Sequence, residues 1–444
     1  MKNILERVIM AIVRINHLGP IQRMDLEINR FNLFIGEQAT GKSTICKAVY
    51  YFRNFKEILL EYLYNIILTG KEENVFPKAL NFQMKDAFIK LFGYSWELPD
   101  DLYIQYDFTE ECFVKVCLKK EKKKYLSVEY SPHLTDQIKL IEREAINYYN
   151  DCSVDDSISS QIIVEKRKFF AGLREKVFSL LEDDMMTYYI PAGRSMLSLL
   201  MNQKTKLNYD DLEPLNRIFI QRIESLQPKF ANGVTQAHNF YPTGSRKFDV
   251  GKVSDEIIKS VKGEYFYQGS KEYLLMKETN EQVPINYTSS GQQEILWLYN
   301  ELYALMLKDE KAFVIIEEPE AHIYPSLQKN ILDFITFYFN LTGGSVIVTT
   351  HSPYILTECN NLCYAGRLKK KSGLENGVEK IAGKWNYLDV DVTNASKLKQ
   401  TMKGTEIISL IDEETGELMA EKIDEISKEI NQVYTGLFYL EEGL

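Results

Sequence analysis

The sequence predicts an α/β protein built on parallel strands that are buried on both faces. Three observations predict it. An apolar run, Phe31 to Ile35, leads through two glycines into a helical stretch that begins at Lys42. Two further runs, Ala312 to Ile316 and Ser345 to Thr350, have the continuous apolar character of doubly covered strands. A helical segment from about Pro325 to Asn340 separates them, and strand, helix, strand in this order means a right-handed parallel crossover.

Each element follows in chain order. Residues 11–35 read as strand, turn, strand, strand, with Gly19-Pro20 at the turn. Residues 1–9 read as an upstream extension, with Met10 as an alternative start. The stretch from Lys42 to about Ile67 reads as one helix, and residues 71–101 as irregular with helical turns. Alternation and aromatic content give strands near 101–108, 112–120 and 124–131. Helical periodicity occupies 134–184, and YYIPAGRS, 188–195, reads as a strand ending at Pro191 and Arg194. Helix and loop fill 196–262, and a small set of strands fills 263–287. This divides the chain into a core first half (10–135), a mainly helical lobe (136–262), a core second half (263–370) and a C-terminal extension (371–444). In the extension, Glu417 to Leu440 reads as an amphipathic helix with Ile423, Ile426, Ile430 and Val433 on one face, suited to docking.

Bulk properties narrow the function. With 444 residues, 45% of them apolar and 26% charged, the chain can bury a large core. A net charge of −10 argues against a uniformly basic nucleic-acid coat. Two local basic runs, Lys119 to Lys124 and Arg367 with Lys369 to Lys371, leave DNA as a secondary partner. The six cysteines form no framework, which suits a reducing, cytoplasmic setting. Cys359 and Cys363 read as buried thiols. No apolar run approaches the roughly 18 residues of a membrane span.

The chemistry lies in four short stretches. Gly36-Glu37-Gln38-Ala39-Thr40-Gly41-Lys42-Ser43-Thr44 joins a strand to a helix. Its glycines allow a tight turn with N–H groups facing inward, and the helix start adds its positive end. Lys42 supplies a point charge for phosphates, and the Ser43 hydroxyl suits Mg²⁺. Ser289, Ser290, Gly291 and Gln292 precede a second helix, as caps or as another phosphate contact. Glu317-Glu318-Pro319-Glu320 ends the Ala312–Ile316 run, where α/β sheets place ligands. One carboxylate there can hold Mg²⁺ and its neighbour can deprotonate water. His351 ends the neighbouring parallel run, beside those acids, as a γ-phosphate sensor.

With these stretches in this order, the chain resembles the ABC-type ATPases. More narrowly, EEPEAHIYP, TTHSPYIL and YIPAGRS resemble the branch holding the overcoming-lysogenization-defect nucleases and their nuclease-free relatives in antiphage systems of the Septu, PARIS and retron-associated kinds. The resemblance covers most of residues 10–370. It implies an ABC-type P-loop ATPase core with a mixed sheet, a helical insertion lobe and a C-terminal helical tail. It makes Gly36 to Thr44 the Walker A loop and Ser289 to Gln293 the signature, with Ser290 in the serine slot. Glu317 takes the metal-side position, Glu318 the base position, Glu320 to His322 the D-loop and His351 the switch. Two features depart from the pattern: Glu317 stands where Asp is usual, and Gln292 replaces a glycine. The Q-loop glutamine is unassigned between Gln105 and Gln137.

The resemblance further implies ATP and Mg²⁺ as cofactors. It implies a homodimer or higher oligomer with ATP sandwiched between protomers, and a separate nuclease or toxin as effector. A fused nuclease is disfavoured: about 90 residues follow His351, with Asp389-x-Asp391 the sole D-x-D among them. The alternatives are an SMC-like repair or chromosome-maintenance ATPase, against which the missing coiled coil and C-x-x-C hook argue, and an ATP-gated clamp without turnover. A transporter subunit fits the EEPEAH stretch less well.

Overall fold

The computed structural model describes residues 11–70, 76–94, 97–121, 123–152, 160–201, 211–241, 246–402, 404–412 and 417–419. β1 (Ala11–Leu18) and β2 (Ile21–Ile28) form an antiparallel hairpin turned at Gly19-Pro20. β3 (Phe31–Gly36), buried until its last residue, runs into the loop that precedes Lys42. α1 (Lys42–Arg53), α2 (Phe55–Thr69) and α3 (Lys78–Phe92) follow. The single helix expected from Lys42 to Ile67 is two. The break falls at Asn54, a weak helix former whose ψ of −9° turns the chain. β4 (Tyr103–Asp107), β5 (Phe113–Lys120) and β6 (Lys124–Tyr130) complete a five-stranded antiparallel sheet in the order β2-β1-β4-β5-β6. α4 (Pro132–Cys152) and α5 (Ser160–Leu180) pack on α2, the contact that its change of direction permits.

β7 (Met186–Ile190) precedes α6 (Arg194–Met201), α7 (Pro214–Leu226) and α8 (Val250–Val261). β8 (Glu264–Gln268), β9 (Lys271–Leu275) and β10 (Gln282–Pro284) make a small antiparallel sheet. Then come α9 (Ser290–Leu307), β11 (Ala312–Glu317), α10 (Pro325–Thr342), β12 (Ser345–Thr350), α11 (Pro353–Lys369) and α12 (Glu375–Ile381). β13 (Thr393–Thr401) and β14 (Gly404–Ser409) follow.

The central sheet has the order β14-β13-β3-β12-β11-β7. Its strands are parallel except for the β14 edge. Side-chain alternation divides the core in two. Phe31, Leu33, Ile35, Val314, Ile316, Val346 and Val348 face one layer, with α9, α10 and α11. Phe34, Phe313, Ile315 and Ile347 face the other, with α1 and the five-stranded sheet. The mixed α/β class is therefore as the sequence implies.

Two placements differ from the reading by domains. Residues 371–444 read as an extension, yet β13 lies directly beside β3, from Thr393 opposite Phe31 to Leu398 opposite Gly36. Residues 136–262 read as a helical lobe, yet their β7 pairs with β11 inside the central sheet. The proposed docking helix at Glu417 to Leu440 lies almost wholly outside the described residues, as do residues 1–10. Among the described residues, no helix is long and apolar enough to cross a membrane. Cys359 and Cys363 are buried, free thiols.

Candidate active site

The 36–41 loop forms because β3 stops at a glycine and α1 starts at another. A Cβ on Gly36 would sit 2.4 Å from the Leu398 carbonyl oxygen, so only glycine lets β13 approach. Gly41 has φ 97°, and a Cβ there would meet Ile21 at 2.8 Å. Ala39 also adopts a positive φ, 61°. The Thr40 hydroxyl donates to Glu37 O at 2.9 Å and closes the turn. Gly41 caps α1 without a side chain, so the first N–H groups of the helix are left for an anion. Lys42, buried, donates to Gly36 O at 2.8 Å and Glu37 O at 2.7 Å. Burial lowers its pKa, against the opposing pull of Glu318 and Glu320. Glu37, Gln38 and Ser43 are exposed, and Thr44 is half-buried.

The acids arrive from β11. Glu317 is its last residue and is buried. Burial pushes the Glu317 carboxyl up, with Ser43 and Tyr189 beside it pulling the other way. Its Oε1 is buried without a hydrogen-bond partner. A buried, unpaired carboxylate oxygen next to a serine hydroxyl is a donor set that fits a hard cation such as Mg²⁺. Glu318 follows with φ 42°, a left-handed conformation that costs a non-glycine residue about 1–3 kcal/mol. Its Oε1 lies 3.0 Å from His351 Nε2, which donates to the carboxylate. Glu320 accepts from the Thr350 hydroxyl at 2.6 Å and from His351 N at 2.7 Å, pinning the end of β12 to the loop after β11. The parallel register, Glu317 opposite Thr349, delivers Glu318 and His351 to the same end of the sheet. Such an arrangement can bind a polyphosphate, hold a divalent cation and take a proton from water.

Ser289 to Gln292 sit elsewhere. The Ser289 hydroxyl accepts from Gln292 N at 3.3 Å, and Gln292 Oε1 accepts from Ser289 N at 3.1 Å, a reciprocal cap of α9. Ser289 and Ser290 are exposed, and a Cβ on Gly291 would lie 3.0 Å from His322 O. Among the described residues, no hydrogen bond or ion pair joins 289–292 to 36–44. Neither Q-loop candidate joins the cluster by a hydrogen bond: Gln105 donates to Asp107 Oδ1 at 2.6 Å within β4, and Gln137 lies on α4.

Sequence reasoning gave no site role to two residues. Arg194, placed there only at the end of a strand, is fully buried and donates to main-chain oxygens of both Glu317 and Glu318. Glu294, also fully buried, receives the Arg194 and Ser195 N–H groups. An isolated arginine in YIPAGRS and a glutamate one turn into α9 carry no local signal of their contact, since 100 residues separate them.

Several cations of the basic runs are paired with acids elsewhere in the chain. Lys119 meets Glu129 at 2.8 Å, and Lys120 and Lys124 both meet Asp100. Arg367 meets Glu417, Lys369 meets Glu379, and Lys370 bridges Asp389 and Asp391 at 2.6 Å each. The D-x-D pair thus holds a lysine. No group of three or more metal-ligating side chains occurs among the described residues.

The family model for the AAA ATPase domain matches residues 10–356, from β1 through the His351 loop. The chain belongs to that family. It is an ATPase domain, and ATP is the nucleotide its family implies. Protein ea59 of Escherichia phage lambda is 28% identical over 109 residues, a stretch that covers 24% of this chain and 18% of that protein. Among solved structures, the SMC head bound to the C-winged helix domain of ScpA aligns with a TM-score of 0.40 and 9% identity, covering 90% of this chain and 96% of that one. The SMC head domain from Thermotoga maritima aligns with a TM-score of 0.38 and 10% identity, covering 90% of this chain and 98% of that one.

Proposed function

We propose that this chain is a Mg²⁺-dependent ATP hydrolase that works as a nucleotide-gated switch. Gly36 to Thr44 hold the triphosphate, with Lys42 turning from its two carbonyls to the phosphates. Ser43 and Glu317 hold Mg²⁺, which when bound would neutralise phosphate charge. Glu318 takes a proton from the attacking water as that oxygen bonds to the γ-phosphorus and the bond to the ADP oxygen breaks. His351 orients Glu318 and reports the γ-phosphate. The observation that carries this reading is the 3.0 Å contact of Glu318 with His351 at the carboxyl ends of adjacent parallel strands.

Glu318→Gln tests it. The amide keeps the shape and removes the base, so turnover should fall at least about 10²-fold while ATP still binds. Normal hydrolysis in Glu318→Gln with loss in Glu317→Gln would reverse the two roles.

The switch acts between copies and on a separate effector. Exposed Ser289 and Ser290 at a helix start, unconnected to the chain's own phosphate loop, support a site completed by a second protomer. The resemblance of EEPEAHIYP and TTHSPYIL to antiphage ATPase subunits supports a nuclease or toxin as effector, and defence as the setting. Protein is the primary partner. DNA is secondary, because the acidic partners of the basic runs leave less charge for phosphates.

A further inference from the structure

We propose that Arg194 is the positioning residue for the Glu318 carboxylate, and that Glu294 ties it to the helix that bears Ser290. The proposal rests on the reading of Glu318 as the base. Arg194 begins α6, and its side chain is buried below the end of β11. Nη1 donates to Glu317 O at 2.8 Å and to Pro191 O at 2.7 Å. Nη2 donates to Glu318 O at 3.0 Å, and Nε to Glu294 O at 2.7 Å. One rigid, planar cation therefore grips two successive carbonyls on either side of the Glu318 N–H and Cα. Those carbonyls fix the backbone torsions that aim the Glu318 side chain, at a residue whose φ of 42° needs external support. A lysine has three donors on one point and cannot span these acceptors.

Glu294 completes the device. Its Oε2 accepts from Arg194 N at 3.1 Å, and its Oε1 from Ser195 N at 3.1 Å and from the Ser195 hydroxyl at 2.8 Å. His322 Nδ1 lies 3.5 Å from the same Oε1. Glu294 is four residues after Ser290 on α9, so its carboxylate moves with the start of that helix. A displacement of Ser290 is thereby delivered through Glu294 and Arg194 to the Glu317 and Glu318 carbonyls. An ion pair that served only burial would have no need to commit a guanidinium to four main-chain oxygens.

The test uses the full chain with Arg194→Lys, Glu318→Gln and the double variant. We measure ATP affinity at equilibrium, kcat, KM and melting temperature. Arg194→Lys should bind ATP as the parent does, with KM little changed and kcat down about 10²-fold, the scale of a misplaced catalytic group. In the Glu318→Gln background the same change should alter the residual rate by less than about threefold, because the clamp acts only through that carboxylate. Parent-like kcat in Arg194→Lys, or a loss carried undiminished into Glu318→Gln, overturns the proposal. If Arg194→Lys does not fold, Glu294→Gln is read by the same non-additivity. An inactive Glu318→Gln beside a fully active Arg194→Lys would sink this proposal alone, whereas an active Glu318→Gln would sink the reading beneath it.

Discussion

Asp183→Asn should destabilise the protein while leaving nucleotide binding intact. Asp183 is buried between two buried cations, with Oδ1 accepting from Arg53 Nη2 and Oδ2 from Lys56 Nζ, each at 2.7 Å. Burial opposes its ionised form, but Arg53, Lys56 and the Met185 N–H outweigh that and hold its pKa below the usual value. Burial, with Arg53 alongside, pulls Lys56 down to about 8. Removing the carboxylate charge leaves both cations uncompensated. Lys56 can escape by losing a proton, because its native pKa is already near neutrality. Arg53 cannot, and it keeps only uncharged partners: the Thr187 hydroxyl at 3.1 Å, the Met185 carbonyl at 3.4 Å and the face of Phe313, 3.8 Å away. Breaking such a buried pair costs about 3–5 kcal/mol. At about 2.1 cal/mol/K per residue, that is a melting shift of roughly 3–5 °C for a chain of this size.

The pH dependence has a definite sign. Between about pH 8 and 10.5 the unfolded chain keeps the Lys56 proton that the native state has lost, so this group adds stability as pH rises. The Asp183→Asn deficit should therefore be larger at pH 7 than at pH 10, where only the Arg53 contribution remains. Denaturant titrations at both pH values, with equilibrium ATP binding, are the assay. ATP affinity should not move, because the triad lies at the C-terminal end of α1, a 12-residue helix whose other end, about 18 Å away, starts at the phosphate loop. A loss under about 1 kcal/mol at pH 7 would refute the reasoning.

Lys42→Ala should abolish MgATP binding with melting little changed, since this lysine bonds only loop carbonyls; unaltered affinity by equilibrium binding would remove residues 36–44 from the site. Gly36→Ala places a Cβ 2.4 Å from Leu398 O, so β13 must shift, at about 1–3 kcal/mol, and ATP affinity should fall with the melting temperature. Equal stability and affinity in that variant would show that the approach of β13 is not required. Mixing Lys42→Ala with Ser290→Arg chains should restore ATPase activity through one intact composite site; no recovery, with a monomeric ATP-bound mass, would mean that each chain works alone.

The local chemistry was legible in the sequence because it is contiguous. Gly36 to Thr44, Glu317 to Glu320 and the residues around His351 each carry their meaning within a few positions, and the apolar runs before them declare strands covered on both faces. Parallel pairing of those runs then brought Glu318 to His351, as a strand–helix–strand connection requires. Most strands of the two antiparallel sheets were legible for a similar reason, as short alternating segments, whereas the pairing of β1 with β4 that joins the first hairpin to the later strands was not.

Other features were decided by tertiary structure alone. β13, TNASKLKQT, has no apolar run to announce it; its place beside β3 comes from the main-chain groups it offers to an exposed strand edge. Arg194 finds Glu294, and Arg53 finds Asp183, across 100 and 130 residues. A buried charge is tolerable only where its partner is brought to it, and the location of that partner is set by which faces meet, not by the identity of its neighbours in the chain. The same holds at the surface, where Lys119, Lys120 and Lys124 of a basic run are paired with Glu129 and Asp100, residues that only the folding of the sheet places beside them.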